Sequence, residues 1–114
     1  MQTSYYSNLK NLDISKCVSI AGKAPDFYTG REFKTLAPKY WFFKKYKEDH
    51  DVEFYTQQFQ KEVLDPLDPQ EIYNELGQDS IILCWEAPDK FCHRHLVAKW
   101  LENALNIKIE EVKK

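Results

Sequence analysis

Between Cys84 and Arg94 the chain gathers most of the side chains able to do covalent or acid–base chemistry: Cys84, Glu86, Cys92, His93 and Arg94. A thiol beside an imidazole is the pairing that activates sulfur as a nucleophile, because the thiolate is the reactive form. Either Cys92 or Cys84 fits that role, with His93 as base or thiolate partner. Arg94 adds a permanent charge suited to an anionic group. Glu86 is placed to orient His93, to serve as a general acid/base, or simply to pair with Arg94 across the intervening loop. Cys84, Glu86, Cys92 and His93 also amount to four potential metal ligands. Structural zinc sites usually contain a Cys-x-x-Cys pair and none is present, so no metal is assigned. A Cys84–Cys92 redox couple, with seven residues between the two, is also conceivable but lacks the thioredoxin-type spacing. The interval from Cys84 to Arg94 is too long for a short cysteine–arginine phosphate loop.

These residues need a strand, a loop and a helix to bring them together. Ser80 to Trp85 contains the consecutive apolar residues Ile81 to Cys84, which predicts a strand covered on both faces and therefore central. Ala87-Pro88-Asp89 makes a turn, and a helix follows from Cys92 to Leu105. With His93 at the origin of a helical wheel at ~100° per residue, Leu96, Val97, Trp100, Leu101 and Ala104 fall roughly between −60° and +80°. His93 therefore points with the apolar stripe, towards the sheet. Arg94 lies at the edge of that stripe, and His95, Lys99 and Glu102 point to water. The carboxyl end of a strand and the amino end of the next helix are neighbours, which sets His93 near Cys84 or Glu86. The positive helix amino end favours a thiolate at Cys92, while burial would raise the pKa of Cys84.

The remaining chain reads as a scaffold for this unit. Cys17 to Ala21 is a short apolar strand, and Cys17 a core thiol. The Gly22–Lys34 loop leaves its carboxyl end, where open α/β sheets place ligands, and carries Gly30 and Arg31 as candidate binding residues. A helix opens near Pro38 and runs to about Lys47, burying some of Tyr40, Trp41, Phe43 and Tyr46. A second helix is capped by Asp51 and ends at Asp65-Pro66. A third has Asp68 as N-cap, Pro69 in its first turn and Gly77 as its stop. Ile107 to Glu110 alternates like an edge strand, while residues before Asp13 show weak periodicity. The expected fold is α/β: a small three-stranded, mainly parallel sheet flanked by about four helices, in a single domain over residues 1–114.

Composition narrows the field of functions. The 114 residues carry a net charge of about −2 with both signs interspersed, which does not favour duplex nucleic acid as a partner. No apolar run approaches the ~18 residues of a membrane span. No leader opens the chain, so a cytoplasmic location is expected. Three cysteines are not a disulfide framework, and three glycines leave no phosphate-binding Gly-rich loop.

The stretch IILCWEAPDKFCHRHLVAKWL resembles the C-terminal signature of the domain of unknown function 488 family. There a strand ending in Cys with a nearby Glu leads to a Cys-His-Arg helix start. VSIAGKAPDFYTGREFKTLAPKYWFF and YTQQFQKEVLDPLDPQEIYNEL resemble the short branch of that family, so the likeness spans about residues 4 to 111. Longer members carry Asp-Val-Arg after their early strand, where this chain has Ser19-Ile20-Ala21-Gly22-Lys23, so no acid or Arg role transfers there. The resemblance implies a compact α/β domain of bacteria and their phages and transfers no activity.

The resulting expectation is a pocket at the carboxyl end of the sheet. Cys84, Glu86, Cys92 and His93 are its catalytic candidates, and Arg94, Gly30 and Arg31 its binding residues. The expected partner is an anionic small molecule, phosphate-bearing or nucleotide-like. The alternative is a non-catalytic module that binds nucleic acid or protein. The sequence names no cofactor and no oligomeric state.

Overall fold

The computed structural model describes residues 1–113. Its centre is a parallel sheet of five strands in the order β3-β2-β4-β1-β5, with β1 Gln2–Tyr5, β2 Cys17–Ser19, β3 Arg31–Glu32, β4 Ile81–Cys84 and β5 Glu110–Glu111. The α/β class holds, but the sheet has two more strands than expected. β4 is central, and all four of its residues are buried. β5 is at the edge, three residues later than the alternation at Ile107 suggested.

Hydropathy missed two strands: β3, which falls inside the stretch read as the Gly22–Lys34 loop, and β1. The latter lies between β4 and β5, with Tyr5 in register with Cys84. Its central residues, Thr3 and Ser4, are both buried. They are tolerated there because each hydroxyl has a partner: Thr3 Oγ1 donates to Glu111 Oε1 at 2.6 Å and Ser4 Oγ to the Val112 carbonyl at 2.7 Å. An apolar-pattern search cannot see a strand whose inward residues are satisfied hydroxyls.

Four α-helices follow in the chain: α1 Tyr40–Asp49, α2 Val52–Phe59, α3 Pro69–Leu76 and α4 His93–Leu105. Asp51 caps α2 through the Phe54 N–H at 3.0 Å, and Asp68 caps α3 through that of Gln70 at 3.2 Å. Gly77 ends α3 at φ 96°, a conformation open to glycine. α2 passes into a π-helical turn at Gln60–Leu64 rather than continuing regularly to Asp65. The wider turn buries Phe59, Val63 and Leu64 together.

Alternation along the strands divides the core between the two faces of the sheet. Val18, Ile20 and Ile82 pack with Phe42, Phe59, Leu76, Val97 and Leu101 under the helices. Cys17, Ile81 and Leu83 pack with Tyr6 and Ala21 under the first residues and the loop after β2. α1 contributes Phe42 to the core, while Tyr40 and Trp41 stay largely exposed and Tyr46 is half-buried. Among the described residues, no helix is long and apolar enough to cross a membrane.

Candidate functional site

β4 ends at Cys84, and α4 begins with Cys92 as its N-cap and His93 as its first helical residue. The loop between them folds back, so that Cys84 and Cys92 pair as a disulfide. His93 lies against this pair: its Nδ1 is 3.3 Å from Cys84 Sγ and 4.0 Å from Cys92 Sγ. The other ring nitrogen, Nε2, is 2.7 Å from the carbonyl of Ile20, just beyond β2. A carbonyl only accepts, so Nε2 carries the proton and the Nδ1 lone pair faces the sulfurs. The Phe59 ring meets the imidazole edge to face at 5.5 Å. Cys84, Cys92 and His93 are only 4–6 % exposed, so the cluster is closed.

Burial governs the electrostatics. It pushes His93 down to about 4, with the neighbouring Arg94 and His95 acting in the same direction and the Ile20 hydrogen bond opposing them. Neutral imidazole is therefore the folded form at neutral pH. Cys17, the free thiol, is buried against the other face, and burial raises its pKa, with Asp13 adding to the effect.

Arg94 is placed differently from its expected edge position. It is fully buried, and Nε and Nη2 bind Glu111 Oε1 and Oε2 at 3.1 and 2.7 Å. Its guanidinium also lies 5.9 Å from the centre of the Tyr5 ring. Burial alone would raise the Glu111 carboxyl, but hydrogen bonds from Arg94 and Thr3 hold it below its ordinary value. The buried face of α4 is His93, Arg94, Val97, Ala98 and Leu101, rotated roughly 60° from the stripe that hydropathy predicts. A wheel scores Arg as polar and cannot anticipate that β5 brings it a carboxylate. His95 follows the same rotation and is half-buried rather than turned to water. Its Nε2, like Arg94 Nη1, is buried without a hydrogen-bond partner among the described residues.

The remaining candidates are not brought to the cluster. Glu86 is exposed in the loop and makes no hydrogen bond among the described residues, so it neither orients His93 nor pairs with Arg94. Arg31 donates to the carbonyls of Glu75 and Leu76 at 2.7 and 3.2 Å, closing the end of α3 near the amino end of the sheet. At Gly30 a Cβ would come within 2.5 Å of the Tyr28 hydroxyl, which donates to the Arg31 carbonyl. Gly30 thus serves a tight local packing. A cavity of about 430 Å³, lined by Gln2, Asp13, Lys16 and Asp79 among others, also lies at the amino end of the sheet.

Two site residues escaped the sequence reading, Glu111 and the Ile20 carbonyl. Glu111 did leave a trace. It shares the parity of Ile107 and Ile109, and an acid at an inward strand position requires a cation. The Ile20 carbonyl left none, because backbone acceptors carry no residue identity.

The fold and site define a parallel α/β protein with a buried cysteine–cysteine–histidine cluster where its central strand passes into a helix. The model of the DUF488-N3a family, described as the active DUF488-N3 subclade, matches residues 18–105, and the chain belongs to that family. No curated protein and no solved structure matches the chain.

Two predictions follow from the electrostatics. His93 has a folded pKa of about 4 against about 6.5 unfolded, so the unfolded chain binds the proton more readily. Its contribution is fully present above about pH 6.5 and is lost as pH falls towards 4, on the order of 3 kcal/mol in all. Urea titrations across that range will show the loss, and His93→Gln will flatten it. Arg94→Ala strands Glu111 and is expected to cost about 3–5 kcal/mol. Arg94→Met with Glu111→Met will recover much of this, as a double-mutant cycle will show.

Proposed function

We propose that this is a thiol-dependent protein in which Cys84 is the attacking sulfur, His93 Nδ1 its proton acceptor and Cys92 the resolving thiol. The observation that carries this is the 3.3 Å contact between Cys84 Sγ and an imidazole whose tautomer is set by the Ile20 carbonyl. A nucleophile, a base and a third group orienting the base form the usual constellation of activated sulfur. Cys92 adds a second thiol within reach of the first.

The balanced oxidative half of the couple uses a low-molecular-weight disulfide as oxidant, and two low-molecular-weight thiols reverse it. Cys84 gives its proton to His93 and attacks one sulfur of that molecule, releasing one thiol and leaving a mixed disulfide. Cys92 then displaces the second thiol and closes the Cys84–Cys92 bond. In a reducing cytoplasm the dithiol is the resting form. Because both sulfurs are buried, reaction requires local opening of the loop 85–91, whose residues Trp85, Glu86, Ala87, Asp89 and Lys90 are exposed. The description of the matched family as active agrees with a chemical role. An anionic, nucleotide-like substrate has less support, since Arg94 and Arg31 are both committed to internal acceptors.

Alkylation of the reduced protein with iodoacetamide at pH 7 tests the assignment. Cys84 is expected to react at least ~10-fold faster than Cys17, and His93→Gln to abolish the difference. Equal rates at the two cysteines, or an unchanged rate in the variant, would count decisively against it.

A second reading is favoured by the outer face of α1, where Tyr40, Trp41 and Phe43 are exposed beside Lys44 and Lys47. The Lys47 ammonium lies 5.1 Å from the Phe43 ring centre. Aromatic faces interleaved with lysines suit single-stranded nucleic acid, whose bases stack and whose phosphates attract. On this reading a labelled oligonucleotide binds at low salt, binding falls steeply as salt rises, and Tyr40→Ala with Lys44→Ala weakens it at least ~10-fold. No binding at low salt eliminates the reading.

A further inference from the structure

We propose that Cys84, Cys92 and His93, once the two cysteines are reduced, form a three-donor site for one Zn²⁺ ion, with a fourth position left to water. The inference rests on the reversible cysteine couple above and names the ligand of its reduced state.

Three observations carry it. The two sulfurs and a ring nitrogen of His93 all lie within 4.8 Å of one another, and all three residues are buried. The imidazole is prepared for ligation: Nε2–H donates to the Ile20 carbonyl at 2.7 Å, which directs the Nδ1 lone pair at the sulfurs. Metal-bound histidines almost always donate their second N–H to such an outer partner, which fixes tautomer and orientation. The separations also fit. Zn–S and Zn–N bonds at tetrahedral angles give an S···N edge of about 3.6 Å. The two observed values, 3.3 and 4.0 Å, lie on either side of it. With the S–S bond broken, small side-chain rotations bring both sulfurs to that edge.

The charge balance favours a divalent ion. Binding converts two thiols and Zn²⁺ into two zinc-bound thiolates and two released protons, so the buried unit is neutral overall. Thiolate and imidazole donors select zinc over magnesium or calcium. Three protein ligands with an open fourth position are the pattern of zinc sites that do chemistry rather than those that only hold a fold. The missing Cys-x-x-Cys pair is no obstacle, because the strand–loop–helix turn brings together residues that sequence spacing separates.

Cobalt(II) serves as the visible probe for zinc. Reduced wild-type protein, freed of metal and titrated anaerobically with Co²⁺, is expected to show a one-to-one thiolate charge-transfer band that Zn²⁺ abolishes. Oxidised wild-type protein is expected to show none, a control that does not depend on any variant folding. Cys84→Ser and His93→Gln should bind more weakly by more than the ~10–100-fold that loss of an outer-shell partner alone costs. Cys17→Ser should bind as wild type. Counting thiols in denaturant separates the two ideas. A rise from one thiol to three on reduction with no cobalt band overturns the metal site alone. Three thiols still counted after treatment with a low-molecular-weight disulfide overturn the couple, and the cobalt band then decides the metal site independently. A band that survives His93→Gln at unchanged affinity, or vanishes in Cys17→Ser, also overturns it.

Discussion

The imidazole of His93 joins three separate parts of the chain at one point. It belongs to the first turn of α4, donates to a carbonyl just past β2, and sets its free nitrogen against the last residue of β4. A buried imidazole without partners would be costly, because each unsatisfied polar atom in an apolar surrounding forfeits its hydration. Here Nε2 donates to a carbonyl and Nδ1 faces sulfur, which can donate to it only as a Cys84 thiol, so the ring is satisfied in the reduced state and only when β2, β4 and α4 are all in place. The helix start is therefore held in register with the sheet by the same contacts that make the cluster chemically interesting.

Next to it, Arg94 and Glu111 solve a second problem of burial. A fully buried guanidinium is tolerable only with a carboxylate in good geometry, and β5 provides one at the sheet edge. Thr3, on β1, adds a further hydrogen bond to the same carboxylate. The ion pair thus links α4, β5 and β1 as His93 links α4, β2 and β4, and between them four of the five strands are tied to one helix. This explains why the cationic residue beside the buried histidine is not free to receive an anion. Its charge is part of the scaffold.

Open parallel sheets place ligands at the carboxyl ends of their strands, and the thiol cluster is found at that end of β4. What occupies it is a closed knot of side chains rather than an open cleft. Closed burial keeps His93 neutral and preserves a lone pair for sulfur, or for a cation, that a solvated histidine would share with protons. Burial of this kind trades access for control of protonation, and the exposed loop 85–91 is what separates the cluster from solvent.

The primary structure by itself determined much of this. Four consecutive apolar residues placed β4 centrally, Asp51 and Asp68 marked their helix starts, and the strand–loop–helix spacing placed His93 beside Cys84. Each of these is a local rule, in which periodicity, capping or loop length acts within a few residues, and for His93 the spacing left Cys84 and Glu86 both open until the fold chose Cys84. What only the tertiary structure decided depended on partners distant in sequence. β1 is a strand because Glu111 and Val112 satisfy its hydroxyls. Arg94 is internal because β5 arrives with an acid, Arg31 is turned away by the end of α3, and Glu86 is left in water. Hydropathy scores a residue alone, whereas the burial of a polar group is decided by whether the fold delivers its counterpart.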